Sequence, residues 1–148
     1  MIVDGAHNPD CAAALRAALK KSGLKGPLAL VAGFCDDKDA AGFLKIVAPL
    51  FARAWGVAVP SPRAMSAETV CARMRAAGLA AVPAEIGAAL DEARAWASAE
   101  GGAVVVCGSL FLAGDALARL GAFPWPGPGG AADPNEAVSV RAPAHGRV

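Results

Sequence analysis

The first nine residues, MIVDGAHNP at positions 1–9, form the stretch from which the fold can be argued. The two β-branched residues before Asp4 are typical of a strand. Asn8 and Pro9 are typical of a helix start, because an Asn side chain caps unpaired N–H groups there and Pro lacks an N–H that would have no partner. The stretch therefore predicts a strand, a turn and a helix. Since ligands collect at the carboxyl ends of parallel strands, Asp4 and His7 lie where a site is expected.

The same alternation of strand and helix signals continues along the chain. Apolar runs predict further strands at residues 28–34, 54–59, 80–82 and 103–107. Periodic or Ala-rich segments predict helices at residues 9–22, 37–51, 67–77, 85–99 and 108–120. We expect an α/β fold: a three-layer, Rossmann-like domain with a mainly parallel sheet of five or six strands and helices on both faces.

Length and composition favour one soluble domain. The chain has 148 residues, enough to bury a core, and 55% of them are hydrophobic. A net charge of +1 with 18% charged residues gives no electrostatic basis for binding nucleic acid or a membrane surface, so neither partner is expected. No uncharged apolar run reaches the roughly 18 residues that span a bilayer, and no signal peptide precedes the first strand. We expect a cytoplasmic protein.

The four cysteines are predicted to be core residues. Cys11, Cys35, Cys71 and Cys107 stand singly among small or apolar neighbours, without a C-x-x-C pair. A zinc site and a disulfide framework are therefore not expected, and a free cysteine behaves as a small hydrophobic residue.

The last part of the chain differs in composition from the rest. Residues 122–148 contain five of the 11 prolines and a Gly-Pro-Gly-Gly stretch, without apolar periodicity. We therefore divide the chain into a domain at 1–121 and a Pro/Gly-rich tail at 122–148 that is extended or disordered.

Polar residues follow four of the predicted strands, at what would be one edge of the sheet. They are Asp4 and His7 after the first strand, 36–39 after the second, 61–63 after the third, and Gly108 and Ser109 after the last. Each has a plainer interpretation as a turn or helix-cap residue, and Arg63 has no role beyond its location. P-loop, Rossmann dinucleotide-binding, nucleophile-elbow and zinc-protease motifs are absent from the sequence.

These residues resemble a known family. Residues 4–9 match the DGAHNP signature of folylpolyglutamate synthases and dihydrofolate synthases, which are relatives of the Mur ligases. Segments 33–39, 62–64 and 108–114 are similar to the family in the same order, although Cys35 stands where smaller residues are common. In that family the signature opens the C-terminal domain, so we expect one domain of a longer ligase, cut just before its first strand at Met1.

The resemblance implies an enzyme that uses ATP and Mg²⁺ to join L-glutamate to folate through an acyl phosphate. An N-terminal P-loop domain would hold most of the ATP and Mg²⁺, no metal ligand is assigned to this chain, and the chain alone is expected to be inactive. Asp4 would bind the ATP ribose, and Asn8 would orient the loop. His7 would be catalytic, near the phosphates. Lys38 and Ser109 would bind the glutamate carboxylate.

Three alternatives stay open at this point. The enzyme could also act as a dihydrofolate synthase, which the sequence does not decide. It could be another amide ligase of the Mur type. The chain could instead be a free-standing module that binds a small anion or a protein partner.

Overall fold

In a computed structural model, residues 1–122 are described, and strands and helices alternate along them. The elements are β1 Ile2–Val3, α1 Pro9–Lys21, β2 Leu28–Ala32, α2 Ala40–Val47, a 3₁₀ turn Ala48–Leu50, β3 Phe51–Gly56, α3 Ala67–Ala76, β4 Ala81–Pro83, α4 Ile86–Ala99, β5 Ala103–Cys107 and α5 Leu110–Arg119. The predicted tail lies, from residue 123 onward, outside the described residues.

The five strands form one sheet in the order β1-β5-β2-β3-β4, and all neighbouring strands are parallel. The last strand therefore lies between the first two, where Val105 is the register partner of both Ile2 and Leu30. This confirms the predicted parallel α/β sheet.

Helices cover both faces of the sheet, as predicted, and enclose two separate cores. In β2, Leu30 faces the core under α1, α2 and α3, whereas Val31 faces the core under α4 and α5. Because successive side chains of a strand point to opposite faces, a strand covered on both faces has to be apolar throughout. The run in β5, where Val105 and Val106 face different cores, shows the same pattern.

The strand order creates a crevice at one edge of the sheet. The helices after β1 and β2 pack on one face, but the helix after β5, which lies between these strands, packs on the other. The chain therefore leaves neighbouring strands in opposite directions, and ligands of open α/β sheets bind at such switch points.

The second helix and third strand differ from the prediction. The predicted helix 37–51 is shorter, since Asp39 caps α2 and Pro49 lies in the 3₁₀ turn that follows it. Pro cannot donate the backbone hydrogen bond of a helix interior. The predicted strand at 54–59 is instead Phe51–Gly56, and Val57 and Val59 are buried beyond it. The remaining ends are within about two residues of the prediction.

All four cysteines are unpaired, and Cys35, Cys71 and Cys107 are buried. Burial raises the pKa of the Cys71 and Cys107 thiols, because a thiolate is disfavoured away from water. These residues thus act as small core side chains, while Cys11 is partly exposed.

None of the helices in residues 1–122 is both long enough and apolar enough to cross a membrane.

Candidate functional site

A cavity of about 190 Å³ lies at the carboxyl edge of the sheet, where the loops after β1, β2, β3 and β5 meet. Its lining residues come from all four loops: His7, Cys35, Lys38, Arg63 and the segment 108–111. The structure thus brings together three of the residues singled out in the sequence, His7, Lys38 and Ser109. Asp4 and Asn8 lie on the same loop as His7 but do not line the cavity.

The loop after β1 is held at both ends. The Asp4 backbone N–H donates to the Val106 carbonyl at 2.9 Å, and the Asp4 carboxylate accepts from the Ala6 N–H at 2.7 Å. Asn8 caps α1 by accepting from the Cys11 N–H at 2.8 Å, which confirms its predicted cap position. One oxygen of Asp4 therefore shapes the turn, and its other oxygen makes no hydrogen bond within the described residues.

His7 has one ring nitrogen engaged by its own loop. Nδ1 lies 2.8 Å from the Gly5 carbonyl oxygen, which can only accept, so Nδ1 carries the proton. The proton position is assigned from this geometry. Nε2 is then an acceptor in the neutral ring and a donor in the imidazolium form. His7 can consequently offer Nε2 to a ligand in the cavity.

The turn between β5 and α5 requires a glycine. Gly108 has φ +103°, and its N–H donates to the Ala6 carbonyl at 2.7 Å. A Cβ there would lie 2.6 Å from the Gly33 carbonyl oxygen. The turn places Ser109 at the N-cap of α5, where the Ser109 Oγ accepts a hydrogen bond from the Phe111 N–H at 3.1 Å. Ser109 as a whole is 95% buried. Helix N-termini attract anions, so this position suits a carboxylate.

The loop after β2 carries a small charge cluster. The Asp37 carboxylate lies 2.9 Å from Lys38 Nζ and 3.4 Å from the Arg63 guanidinium. The hydrogen bond from Lys38, with the charges of Lys38 and Arg63, holds the pKa of Asp37 below its usual value. Asp39, by contrast, caps α2 through the Gly42 N–H at 2.8 Å. The N-cap of α2 is therefore Asp39, two residues after Asp37, where the sequence predicted that this helix begins.

Two features of this edge had no role assigned from the sequence. Arg63 lines the cavity, at the edge where the sequence placed it. Leu110 and Phe111 are exposed large apolar residues beside the same cavity. Their position next to Ser109, on the first turn of α5, could have predicted from the sequence that they lie beside the cavity.

A larger cleft, of about 490 Å³, lies at the opposite edge, by the amino ends of β3 and β4. Arg53, Arg75 and Trp96 are among its lining residues, and the Arg75 guanidinium already donates to the Ala81 carbonyl. None of the predicted site residues lies there. Because ligands of parallel sheets bind at the carboxyl edge, the smaller cavity is the stronger candidate.

Within residues 1–122, no group of three or more His, Cys, Asp or Glu side chains is arranged to hold a metal ion. The expectation that Mg²⁺ is bound mainly by another domain stays a prediction.

Comparison with known families and structures gives consistent matches. The model of the family described as "Mur ligase, glutamate ligase domain" matches residues 1–110. Escherichia coli FolC in complex with DHPP and ADP has 27% identity and a TM-score of 0.71, over 81% of this chain and 28% of that chain. No curated protein sequence matches this chain.

Two further solved structures are similar. Mycobacterium tuberculosis folylpolyglutamate synthase, complexed with ADP and AMPPCP, has 26% identity and a TM-score of 0.71, over 83% of this chain and 30% of that chain. A bifunctional folylpolyglutamate synthase/dihydrofolate synthase with Mn, AMPPNP and L-glutamate bound has 26% identity and a TM-score of 0.63, over 80% of this chain and 28% of that chain. The chain therefore spans less than a third of the length of these relatives.

Proposed function

We propose a function from one premise: the chain belongs to the family of Mur ligase glutamate ligase domains. It is the C-terminal domain of a folylpolyglutamate synthase, an ATP-dependent ligase that joins L-glutamate to folate. The similar structures are folylpolyglutamate synthases, which favours this branch over another amide ligase of the Mur type and over a free-standing binding module.

The reaction has two steps. A carboxylate of the folate attacks the γ-phosphorus of ATP, which gives an acyl phosphate and ADP. The amine of glutamate then attacks the acyl carbon, and inorganic phosphate leaves as the amide forms and the nitrogen loses its proton. Both steps develop charge on phosphoryl or carbonyl oxygens, so the site has to supply fixed donors and cations.

The observation that carries the proposal is the convergence of His7, Lys38 and Ser109, from three separate strand ends, on one cavity. Lys38 and Ser109 bind carboxylate groups of the incoming glutamate, Lys38 through its charge and Ser109 through a hydroxyl at a helix N-terminus. His7 offers Nε2 to the phosphoryl group or to the glutamate beside it. This arrangement holds the amine close to an acyl phosphate formed at the domain boundary.

The nucleotide binds mainly to an N-terminal P-loop domain, the intramolecular partner of this chain. Asp4 contributes its second carboxylate oxygen to the ribose hydroxyls, since an ionised carboxylate only accepts hydrogen bonds. Asn8 keeps the loop in position by capping α1. The relatives solved with ADP, AMPPNP or Mn support nucleotide and metal use by the longer enzyme. When bound, Mg²⁺ would neutralise phosphate charge from that other domain.

The test is a linked enzyme in which a P-loop domain of the folylpolyglutamate synthase type precedes this chain. We expect ATP-dependent addition of glutamate to a reduced folate, measured as ADP release that requires both substrates and as the mass of the product. ADP release with another amino acid, but not with glutamate, would assign the chain to a different amide ligase. Absence of ADP release with any amino acid, from a folded enzyme that binds ATP, would contradict the ligase proposal.

A further inference from the structure

One carboxylate in this structure already lies between two cations at the cavity. Asp37 contacts Lys38 with one oxygen and Arg63 with the other. The two cations belong to loops that follow different strands, yet both line the cavity that contains Ser109. Their spacing therefore accommodates a carboxylate group.

The position of Arg63 is set by the backbone and not only by Asp37. The Asp36 N–H donates to the Arg63 carbonyl at 2.8 Å, and the Met65 N–H donates to the Phe34 carbonyl at 2.9 Å. Cys35 and Ala64 form an antiparallel bridge between these contacts. The backbone around Arg63 is thus fixed against the end of β2, so the base of its side chain stays beside the cavity if Asp37 moves away.

We propose that Lys38 and Arg63 form one receptor for a carboxylate of the incoming amino acid, and that this carboxylate replaces Asp37 on both cations. The inference deepens the proposed function, on which it rests. Arg63 becomes the residue that selects a dicarboxylic amino acid: one carboxylate binds at Ser109 and the N-terminus of α5, and the other binds between the two cations.

Replacement is physically reasonable because the Asp37 pairs are open to water. The side chains of Lys38 and Arg63 are 36% and 61% exposed, and that of Asp37 is 42% exposed. Exposed ion pairs contribute little net stability, so opening them costs little. A ligand carboxylate can use both oxygens against the planar fork of Arg63, which favours such bidentate contacts.

The experiment measures binding to the 148-residue chain itself, by titration of amide chemical shifts with L-glutamate and with L-glutamine. Glutamine has the same length but a neutral distal group. We expect Arg63→Ala to weaken glutamate binding about tenfold, as expected for one charge-assisted contact, with little change for glutamine. Arg63→Lys should restore part of the loss. Arg94→Ala, an exposed arginine on α4, is the matched control and should bind both ligands as the wild type does.

The Asp37→Asn variant tests whether a ligand carboxylate replaces Asp37 on the two cations or whether Asp37 only holds these cations in place. If a ligand carboxylate takes the place of Asp37, the neutral side chain no longer competes and glutamate binds several-fold more tightly. Weaker binding would show that Asp37 holds the cations in place and would overturn the replacement step. Equal effects of Arg63→Ala on glutamate and glutamine, or no glutamate binding by the wild-type chain, would overturn the receptor.

The binding experiment and the ligase assay test different claims. A linked enzyme that ligates glutamate, while the Arg63→Ala chain keeps wild-type affinity, contradicts only this inference. A chain with the expected binding pattern, in a linked enzyme that never forms an amide, contradicts only the proposed function.

Discussion

At the scale of single residues, His7 can be tested without disturbing the fold. It is partly exposed, lies on a loop, and makes its side-chain hydrogen bond within that loop. Its contribution to the core is therefore small, whereas its Nε2 faces no protein partner within the described residues. Substitution of His7 should therefore leave the fold intact.

We expect His7→Ala in the linked enzyme to lower kcat by about 10²-fold or more, because a positioned charge or donor near a transferring phosphoryl group typically contributes that much. The melting temperature should stay within a few degrees of the wild type. Steady-state kinetics and thermal unfolding measure the two quantities. A variant with unchanged kcat would remove His7 from the catalytic group.

Lys38→Ala should mainly raise KM for glutamate. The substitution removes a charge-assisted contact of about 1.5–3 kcal/mol, which is roughly tenfold to a hundredfold in affinity. Glutamate is varied at saturating ATP and folate, and Lys25→Ala, an exposed lysine before β2, is the control. If KM for ATP changes while KM for glutamate does not, Lys38 belongs with the nucleotide.

The ion pairs of Asp37 make a small part of the stability depend on pH. Since folding lowers the pKa of this carboxyl, the contribution is present above its ordinary pKa of ~3.9 and is lost as pH falls through the lowered value. We expect the wild type to melt slightly above Asp37→Asn at pH 7, and the difference to shrink as the pH falls below that ordinary value. A difference that grows on acidification would contradict the pairing.

At the scale of elements, the turn between β5 and α5 fixes the geometry of the site. Three constraints coincide at Gly108: a positive φ, a hydrogen bond to the loop after β1, and close approach of the Gly33 carbonyl. The turn therefore couples the loop that carries His7 to the helix that carries Ser109.

Gly108→Ala should destabilise the domain by about 2 kcal/mol or more, since strain at such a φ adds to a clash with backbone. Gly114→Ala is the matched control: this glycine lies inside α5 with open space at the Cβ position, and alanine should stabilise the helix by up to about 1 kcal/mol. Urea unfolding measures both. Equal effects of the two substitutions would show that the turn is not strained.

Features that depend on neighbouring residues could be predicted from the sequence, whereas features that depend on contacts between distant segments could not. The strand at Ala103–Cys107 is an unbroken apolar run bounded by glycines, and it lies where the pattern predicted. The carboxyl end of β3 was misplaced because Val57 and Val59 extend the apolar pattern beyond the last paired residue, Gly56. The ion pair of Arg63 with Asp37 joins loops that follow different strands, which no local pattern reports.

At the scale of the whole molecule, the candidate site residues lie at one edge of the sheet only, within the described residues. His7, Lys38 and Ser109 line a cavity at a single edge of the sheet, and the sequence contains no P-loop to cradle phosphates. Under the proposed function, the domain would thus present groups for glutamate without the groups that would activate the folate.

We therefore expect the 148-residue chain alone neither to hydrolyse ATP nor to form an amide, because orientation of two reactants needs both halves of a site. The measurement is phosphate release and product mass with ATP, folate and glutamate present. Restoration of activity by a linked P-loop domain is the positive control. Ligation by the chain alone would contradict the division of the site between domains.

The position of β5 also constrains how the protein can be made. The ribosome releases β1 first, yet the sheet partner of β1 is β5, about 100 residues later. Until Val106 has emerged, Asp4 lacks the carbonyl that anchors it, and β2 lacks its neighbour on one side. The DGAHNP loop therefore acquires its anchor only after β5 has been synthesised, so a chain that ends before Val106 lacks the contact that holds this loop in place.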